Sequence, residues 1–230
     1  MRAFRAKFGL PPNDPEIILN GPDPGIVNPV EVTEANLDIQ WSGAVAKAAQ
    51  IKFVVSKSTY STDGVFLSAQ YAVDNNLAPV ISVSFGACEE FLGPMNLAYA
   101  ALWQQAATEG ISVVVASGDS GAAGCDSPSA ARAVNGMVVN GLASSPFNVA
   151  AGGTEFDDGN SQQVYWNGTP NVHLSSAEKY IPEAVWNDSA TRLNLDAGGG
   201  GVSQLYEPPA WQTGPGVPTE DPGASGQHHR

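Results

Sequence analysis

The chain has 230 residues, with 10 Lys and Arg against 23 Asp and Glu, which gives a formal net charge of −13. So few cations exclude a nucleic-acid partner, because phosphate binding needs a basic surface. The length suits one α/β domain with a sizeable core. An acidic surface suits a protein that works at low pH, although it also simply aids solubility. No apolar run has the length of a membrane helix or of a signal peptide, so we expect neither a membrane partner nor an export signal in this chain.

The apolar pattern predicts strands and helices that alternate along the first two thirds of the chain. Residues 9–29 are rich in Pro, Gly and Asn and are expected to form a loop with one short strand. Beyond this loop, helices are predicted at 31–49, 64–77 and 96–110, and strands at 51–56, 78–86, 111–118 and 145–153. This order indicates an α/β fold with a mostly parallel sheet flanked by helices.

The last third of the chain is more polar. Residues 154–197 place aromatic side chains among Asn, Asp and Ser, which is typical of long surface loops with short strands. The stretch "DAGGGGVSQLYEPPAWQ", 196–212, predicts a glycine-rich turn followed by an extended piece. Residues 219–230 have no apolar period and are predicted to be a disordered tail, so the domain is expected to span 1–218.

Residues 118–121 read Gly-Asp-Ser-Gly, the four letters around the nucleophile of trypsin-like serine proteases. That mechanism needs a His before the Asp and the Ser in chain order, and all three histidines of this chain follow Ser120. The continuous apolar run at 111–118 is instead typical of a strand buried on both faces of a parallel sheet. Asp119 is therefore expected at the carboxyl end of such a strand, where open α/β sheets bind their ligands.

A second pair of carboxylates lies on the first long predicted helix. Glu34 and Asp38 are four residues apart, so their side chains leave the same helix face one turn apart. Like charges at this spacing are mildly unfavourable, and no Lys or Arg lies within a turn. The pair is either a solvated face or two carboxyl groups that share a proton, so that one stays charged as a base in acid.

The two cysteines, Cys88 and Cys125, each follow a predicted strand. If the two strands are neighbours in the sheet, the thiols can meet in a disulfide that closes a long loop. Two reduced thiols are the equally open alternative.

Several segments, taken in order, resemble the sedolisins, which are serine-carboxyl peptidases that act in acid and are relatives of subtilisin. The resemblance extends over nearly the whole chain, to about residue 218. The segments that carry it are "VTEANLDIQWSGAVAKAA" with "IKFVVS", "PVISVSFG", "VVVASGDSGAAGCDS", "SPFNVAAGGTEF", "YIPEAVWND" and "GGGGVSQLYEPPAWQ".

The resemblance implies a subtilisin-like three-layer α/β fold, incomplete at its carboxyl end, and a role for each carboxylate. Glu34 would be the general base towards a serine, and Asp38 would support Glu34. Asp119 would lie in the oxyanion hole, where a carboxylic acid can donate a hydrogen bond only while it is protonated. In acid, a His base would stay charged and useless, which explains why a carboxylate replaces it.

By the same resemblance, the partners would be protein or peptide substrates, and the protein would be a secreted monomer. A substrate would lie extended against strand edges, as in strand addition to a sheet. The residues expected to form these edges are Ser84, Phe85 and Gly86, and Ala116, Ser117 and Gly118.

The sequence also departs from the family. The family's nucleophile stands in a Gly-Thr-Ser motif beyond the last matching segment, whereas "GGTEF" here has Glu155 and Ser225 lies in the predicted tail. We therefore expect a truncated copy that is inactive alone, with no nucleophile in this chain. The family's calcium site follows the nucleophile, so no metal or cofactor is expected here. The polar loop that contains Asp157 and Asp158 is interpreted as a turn and not as a metal site, and so are the surroundings of Asp188.

Two other functions are compatible with parts of the pattern. One is a non-catalytic peptide-binding module that keeps the substrate groove. The other is a flavodoxin-like nucleotide binder, which is disfavoured because the strand-to-helix turns lack a glycine-rich phosphate loop.

Overall fold

We describe the fold from a computed structural model that covers residues 1–159, 161–215 and 217. The predicted tail at 219–230, with Ser225, lies outside the described residues. The helices are α1 (Arg2–Lys7), α2 (Pro29–Val45), α3 (Gly64–Asp74), α4 (Glu89–Leu92), α5 (Met95–Thr108), α6 (Gln162–Tyr165) and α7 (Ser189–Arg192). The strands are β1 (Glu16–Leu19), β2 (Lys52–Val55), β3 (Val80–Val83), β4 (Ser112–Ala116), β5 (Val149–Ala151), β6 (Thr154–Phe156) and β7 (Glu183–Val185).

The strands pair mostly in parallel, as an α/β fold requires. β3, β4 and β5 form a three-stranded parallel sheet, and β1 and β2 form a separate parallel pair. The predicted sheet is therefore divided into two parallel sheets, and α3 packs against β2 on one side and β3 on the other, bridging them. β6 and β7 form a short antiparallel pair, which agrees with the short strands expected in the polar region.

α3 and α5 pack against one face of the β3–β4–β5 sheet, and α2 lies beside the other face across a cavity. Successive side chains of a strand point to opposite faces. On β3, Ile81 and Val83 pack into the apolar core beneath α3 and α5, whereas Ser82 and Ser84 line a cavity beside α2. The centre of the core is Trp103 of α5, which is fully buried and donates its indole N–H to the carbonyl of Leu142.

The amino-terminal helix α1 was not predicted, and it changes where α2 ends. Arg5 is only 2% exposed, and its guanidinium donates to the carbonyl oxygens of Gly43 and Lys47, each at 2.9 Å. Because the last carbonyls of a helix lack partners within the helix, this cation stabilises the carboxyl end of α2. The Cβ of a side chain at Gly43 would lie 3.1 Å from the guanidinium, so glycine there leaves room for the close approach. The helix predicted to reach residue 49 therefore ends at Val45.

The glycine-rich segment that follows α7 packs against the end of β4. Gly199 donates its N–H to the carbonyl of Gly118 at 2.7 Å, and Ala197 donates to the carbonyl of Asp119 at 3.1 Å. The predicted turn is present, but the extended piece after it forms no strand within the described part of the chain. Its backbone is held by side chains and loops and has no neighbouring strand to pair with.

Among the residues that the structure describes, no helix combines the length and the apolar character needed to cross a bilayer.

Candidate active site

Helix α2 carries the first two candidate residues. Asn28 caps its amino end, because the side-chain oxygen accepts the N–H groups of Val30 and Glu31 at 2.9 and 3.0 Å. From that start, the four-residue spacing places Glu34 and Asp38 on one face, and both side chains are partly buried. They line a cavity of about 440 Å³ together with Leu37, Trp41, Ser42, Val45, Ser82 and Ser84.

A hydrogen bond connects α2 to the end of β3. The hydroxyl of Ser84 donates to Oδ1 of Asp38 at 2.7 Å. Ser84 was expected at a substrate-binding edge, and the structure places its side chain on one of the two helix carboxylates. This contact fixes the orientation of the Asp38 carboxylate relative to the sheet.

Asp119 lies at the carboxyl end of β4, with its side chain exposed to solvent. Gly118, directly before it, has φ of +112°, a backbone conformation that residues with side chains rarely adopt. This turn ends the strand, and Asp119 lies close enough for its charge to act on Glu34. The structure thus brings Glu34, Asp38 and Asp119 together at one sheet end.

The electrostatics of this cluster affect Glu34 most. Burial raises the pKa of Glu34 above its ordinary value, and the negative charges of Asp38, Asp119 and Glu31 raise it further. The salt bridges among the described residues all involve Arg2 or Arg192, whose partners lie elsewhere. A carboxyl group that holds its proton to a higher pH than usual, with no cation beside it, is suited to proton transfer in weak acid.

Both predicted substrate edges have backbone groups that are bonded within the chain, and at 84–86 the carbonyl of Phe85 accepts from Asn140. At the β4 end, the carbonyl of Ala116 accepts from Asn140, the N–H of Ser117 donates to Ala151, and the carbonyl of Gly118 accepts from Gly199. These groups are already used within the chain. The other edge, 84–86, borders the cavity beside α2, and the side chain of Phe85 there is 40% exposed.

The loops that follow β3 and β4 are joined covalently. Cys88 and Cys125 form a disulfide, with their Cα atoms 4.7 Å apart and a sequence separation of 37. Ser120, between β4 and Cys125, is buried, and its hydroxyl donates to the carbonyl of Asp126 at 2.8 Å. Its side chain is therefore engaged in holding this loop.

The acidic residues of the polar region have local partners. Asp158 accepts the indole N–H of Trp166 at 2.9 Å, and Asp188 pairs with Arg192 one turn along α7. Asp157 donates its backbone N–H to Pro182. Within 1–159, 161–215 and 217, no cluster of three or more His, Cys, Asp or Glu side chains could hold a metal ion. The described residues therefore do not fit a calcium ion, and no step of a mechanism is assigned to one.

A second cavity, of about 480 Å³, lies behind Ser120. Its lining is mostly Ala, Gly, Val, Met and Leu, and none of the residues that line it is titratable. The smaller cavity beside α2 is the better candidate for chemistry, because it contains both helix carboxylates.

Two buried polar residues near the site were missed by sequence reasoning. Glu89 is 2% exposed, and it accepts the hydroxyl of Ser203 and the N–H of Gln204. Asn140 is 4% exposed and contacts the ends of both β3 and β4. No local pattern marks either residue, because their partners are far away in sequence.

The fold and the site together define a class of protein: a three-layer α/β domain with a cluster of carboxyl groups at the carboxyl ends of parallel strands. Similarity to known proteins narrows this class. The chain is 31% identical to kumamolisin from Bacillus sp. (strain MN-32) over 222 residues, which cover 93% of this chain and 32% of kumamolisin. It is 27% identical to sedolisin from Pseudomonas sp. (strain 101) over 221 residues, which cover 93% of this chain and 35% of sedolisin.

The structural comparison agrees. The fold superposes with a TM-score of 0.70 on Pseudomonas sedolisin, a serine-carboxyl proteinase solved in complex with two molecules of pseudo-iodotyrostatin. This match has 27% sequence identity and covers 92% of this chain and 55% of the sedolisin chain. No protein-family model matches the chain.

The chain is related in sequence and in fold to the sedolisins over more than nine tenths of its length, and the predicted α/β fold is confirmed. It spans about a third of the length of the curated relatives it matches.

Proposed function

We propose that this chain, over residues 1–218, is the part of an acid-acting sedolisin-type peptidase that carries the general base and the oxyanion-hole acid. The observation that supports this most directly is the environment of Glu34. Its pKa is raised by burial and by the charges of Asp38, Asp119 and Glu31, and Glu34 and Asp38 both line the cavity beside α2.

In this proposal, Glu34 takes the proton from a serine hydroxyl as the serine oxygen attacks the peptide carbonyl carbon. Asp38, held by the Ser84 hydroxyl, keeps a negative charge beside Glu34 and so favours its uptake of that proton. Asp119, protonated in acid, donates a hydrogen bond to the oxyanion that forms on the carbonyl oxygen.

Three serines of this region already use their hydroxyls in hydrogen bonds. The hydroxyl of Ser84 is bonded to Asp38, that of Ser120 to the carbonyl of Asp126, and that of Ser203 to Glu89 at 2.6 Å. We therefore propose that this chain prepares the base and the oxyanion hole and does not hydrolyse peptides by itself.

A peptide substrate would lie extended along 84–86, beside the cavity lined by Leu37 and Trp41. The disulfide of Cys88 and Cys125 supports an oxidising location outside the cell, since disulfides persist in such compartments. We propose a secreted monomer, and we assign calcium binding to none of the described residues of this chain.

The first experiment assays the chain alone for hydrolysis of denatured protein across the acid range, with Glu34→Ala and Asp119→Ala as controls. We expect no turnover above the level of the two variants. Turnover that both substitutions abolish would contradict the proposed inactivity and would reveal an overlooked nucleophile. Ser84→Ala, Ser120→Ala and Ser203→Ala would then identify it, with Ser225 tested in the same way.

The second experiment tests the roles of the carboxylates. The chain is fused to the carboxy-terminal part of kumamolisin, which has no counterpart in this chain. Hydrolysis of protein substrate by the fusion is then measured in acid. We expect Glu34→Gln and Asp119→Asn each to lower kcat by about 100-fold or more. The matched control is Glu109→Gln, exposed at the carboxyl end of α5 and not among the groups that act on Glu34, which should leave kcat within about twofold. An active chimaera that tolerates the Glu34 or Asp119 substitution would refute the proposal.

A peptide-binding module without catalysis is the second candidate, because the cavity beside α2 is open and partly lined by the apolar side chains of Leu37 and Trp41. This candidate would be favoured if the isolated chain binds peptide saturably and loses that binding in Trp41→Ser. The extended chain should then bind peptide without turnover.

A further inference from the structure

Asn140 uses the whole hydrogen-bonding capacity of its side chain at the meeting point of two strand ends. Its Nδ2 donates to the carbonyl oxygens of Phe85 and Ala116, at 3.1 and 2.7 Å. Its Oδ1 accepts the N–H groups of Ala87 and Leu142, at 3.0 and 3.1 Å. The side chain is buried, so these four bonds replace water completely.

The pattern of partners leaves one orientation for this amide. Both groups facing Nδ2 are carbonyl oxygens, and both groups facing Oδ1 are N–H donors. Reversing the amide would set oxygen against oxygen twice and N–H against N–H twice. No other uncharged side chain of this size supplies two donors and two acceptors in one plane.

The surrounding backbone is shaped around this side chain. A side chain at Gly86 would bring its Cβ within 3.1 Å of the Asn140 Nδ2, so glycine there allows the amide to approach the strand end. Gly141 also donates its N–H to the carbonyl of Ala87 at 2.9 Å, which holds the segment around Asn140 against the loop after β3. Asn140 is thus anchored on the β3 side and reaches across to β4.

The two carbonyls that Asn140 holds are close along the chain to the candidate carboxylates. Phe85 directly follows Ser84, whose hydroxyl donates to Asp38. Ala116 is the last residue of β4 and lies three residues before Asp119. One planar amide therefore bridges the chain segments that carry the two sides of the site.

We propose that Asn140 is a positioning residue, whose amide holds the ends of β3 and β4 at the separation that brings Asp119 up to Glu34 and Asp38. The inference rests on the proposed function only in treating these carboxylates as the site. Asn140 touches none of them, so it acts through Ser84 and through the β4 end.

The test compares Asn140→Leu with a matched control, Asn148→Leu. The Asn148 amide also joins parts of its own loop, since Nδ2 donates to Ala143 and Oδ1 accepts the Ser145 hydroxyl. It makes no bond to the ends of β3 or β4. Both variants remove polar contacts from an amide in this region, but only the first releases the two strand ends.

The readout is the titration midpoint of Glu34, followed by NMR of its carboxyl carbon in the isolated chain. The charged groups that face Glu34 are Asp38 and Glu31 on α2 and Asp119 after β4. If the strand ends separate, Asp119 moves away and water enters, and both changes lower the pKa of Glu34. We expect Asn140→Leu to lower the midpoint by about half a pH unit and Asn148→Leu to leave it unchanged.

An unchanged midpoint in Asn140→Leu, or an equal shift in Asn148→Leu, would overturn the proposal. If Asn140→Leu does not fold, hydrogen exchange of the unaltered chain decides the question. The side-chain NH₂ of Asn140 should exchange far more slowly than that of Asn75, which is exposed on α3's end. Equal exchange rates would overturn the proposal as well. Because neither measurement involves hydrolysis, a failure of the Asn140 proposal can be distinguished from a failure of the proposed peptidase function.

Discussion

Replacing Glu34 by Gln should stabilise the protein at neutral pH and change little in acid. The substitution keeps the size of the side chain and removes its charge from a partly buried cavity. Three negative neighbours, Asp38, Asp119 and Glu31, act on that charge. Each like-charge pair one helical turn apart costs a few tenths of a kcal/mol. Glu34 forms two such pairs, with Asp38 and Glu31, and Asp119 and burial add to their cost. Together they destabilise the charged Glu34 by about 1 kcal/mol, since solvent still partly screens the site.

The sign of the pH dependence follows from the raised pKa of Glu34. The native state holds the proton to a higher pH than the unfolded state, whose Glu has an ordinary value of 4.5. The stability from this group is thus fully present below the ordinary value and is lost as pH rises through the native pKa. The wild type should lose about 1 kcal/mol across that window, relative to Glu34→Gln.

Urea unfolding followed by the fluorescence of buried Trp103 measures the difference. We expect Glu34→Gln to be more stable than wild type by about 1 kcal/mol near pH 7 and equal near pH 3. Glu31→Gln is the control, because the relief of its repulsion with Glu34 is offset by the loss of a favourable acidic residue in the first turn of α2, so stability should change little. A Glu34→Gln protein less stable than wild type near pH 7, or an equal gain near pH 3, would refute the electrostatic account of the site.

Two further predictions concern stability. Replacing both Cys88 and Cys125 by Ser should lower the free energy of unfolding by about 4 kcal/mol in the loop-entropy account, because the bridge closes a loop between cysteines with a sequence separation of 37. A loss below about 1 kcal/mol in urea unfolding would count against that account. Burial, together with a hydrogen bond to Asp63, raises the pKa of Tyr99, so its phenol should ionise only when the protein unfolds in alkali. Tyr99→Phe should cost about 1 kcal/mol and remove one phenol from the unfolding-linked step, and a Tyr99 that titrates with the exposed tyrosines would contradict this.

The sequence predicted the parts of the fold that depend on local periodicity. The apolar run that became β4 and the helical spacing that became α5 are patterns of neighbouring residues, so the elements formed close to where they were expected. The placement of Glu34 and Asp38 on one helix face is equally local, since it follows from 3.6 residues per turn. Their roles, and that of Asp119, remain predictions that the experiments above test.

Contacts between distant residues were decided only by the tertiary structure. Ser84 meets Asp38 across 46 residues, Asn140 meets Phe85 across 55, and Arg5 meets Lys47 across 42. A side chain's own neighbours in sequence carry no record of such a partner, because the contact exists only once strands and helices pack. The division of the sheet into two and the end of α2 at Val45 likewise depend on tertiary contacts. The sequence alone therefore determined which residues could form the strands, the helix and its paired carboxylates. Packing determined which polar groups were left free to act, since most buried donors and acceptors find a partner when water is excluded.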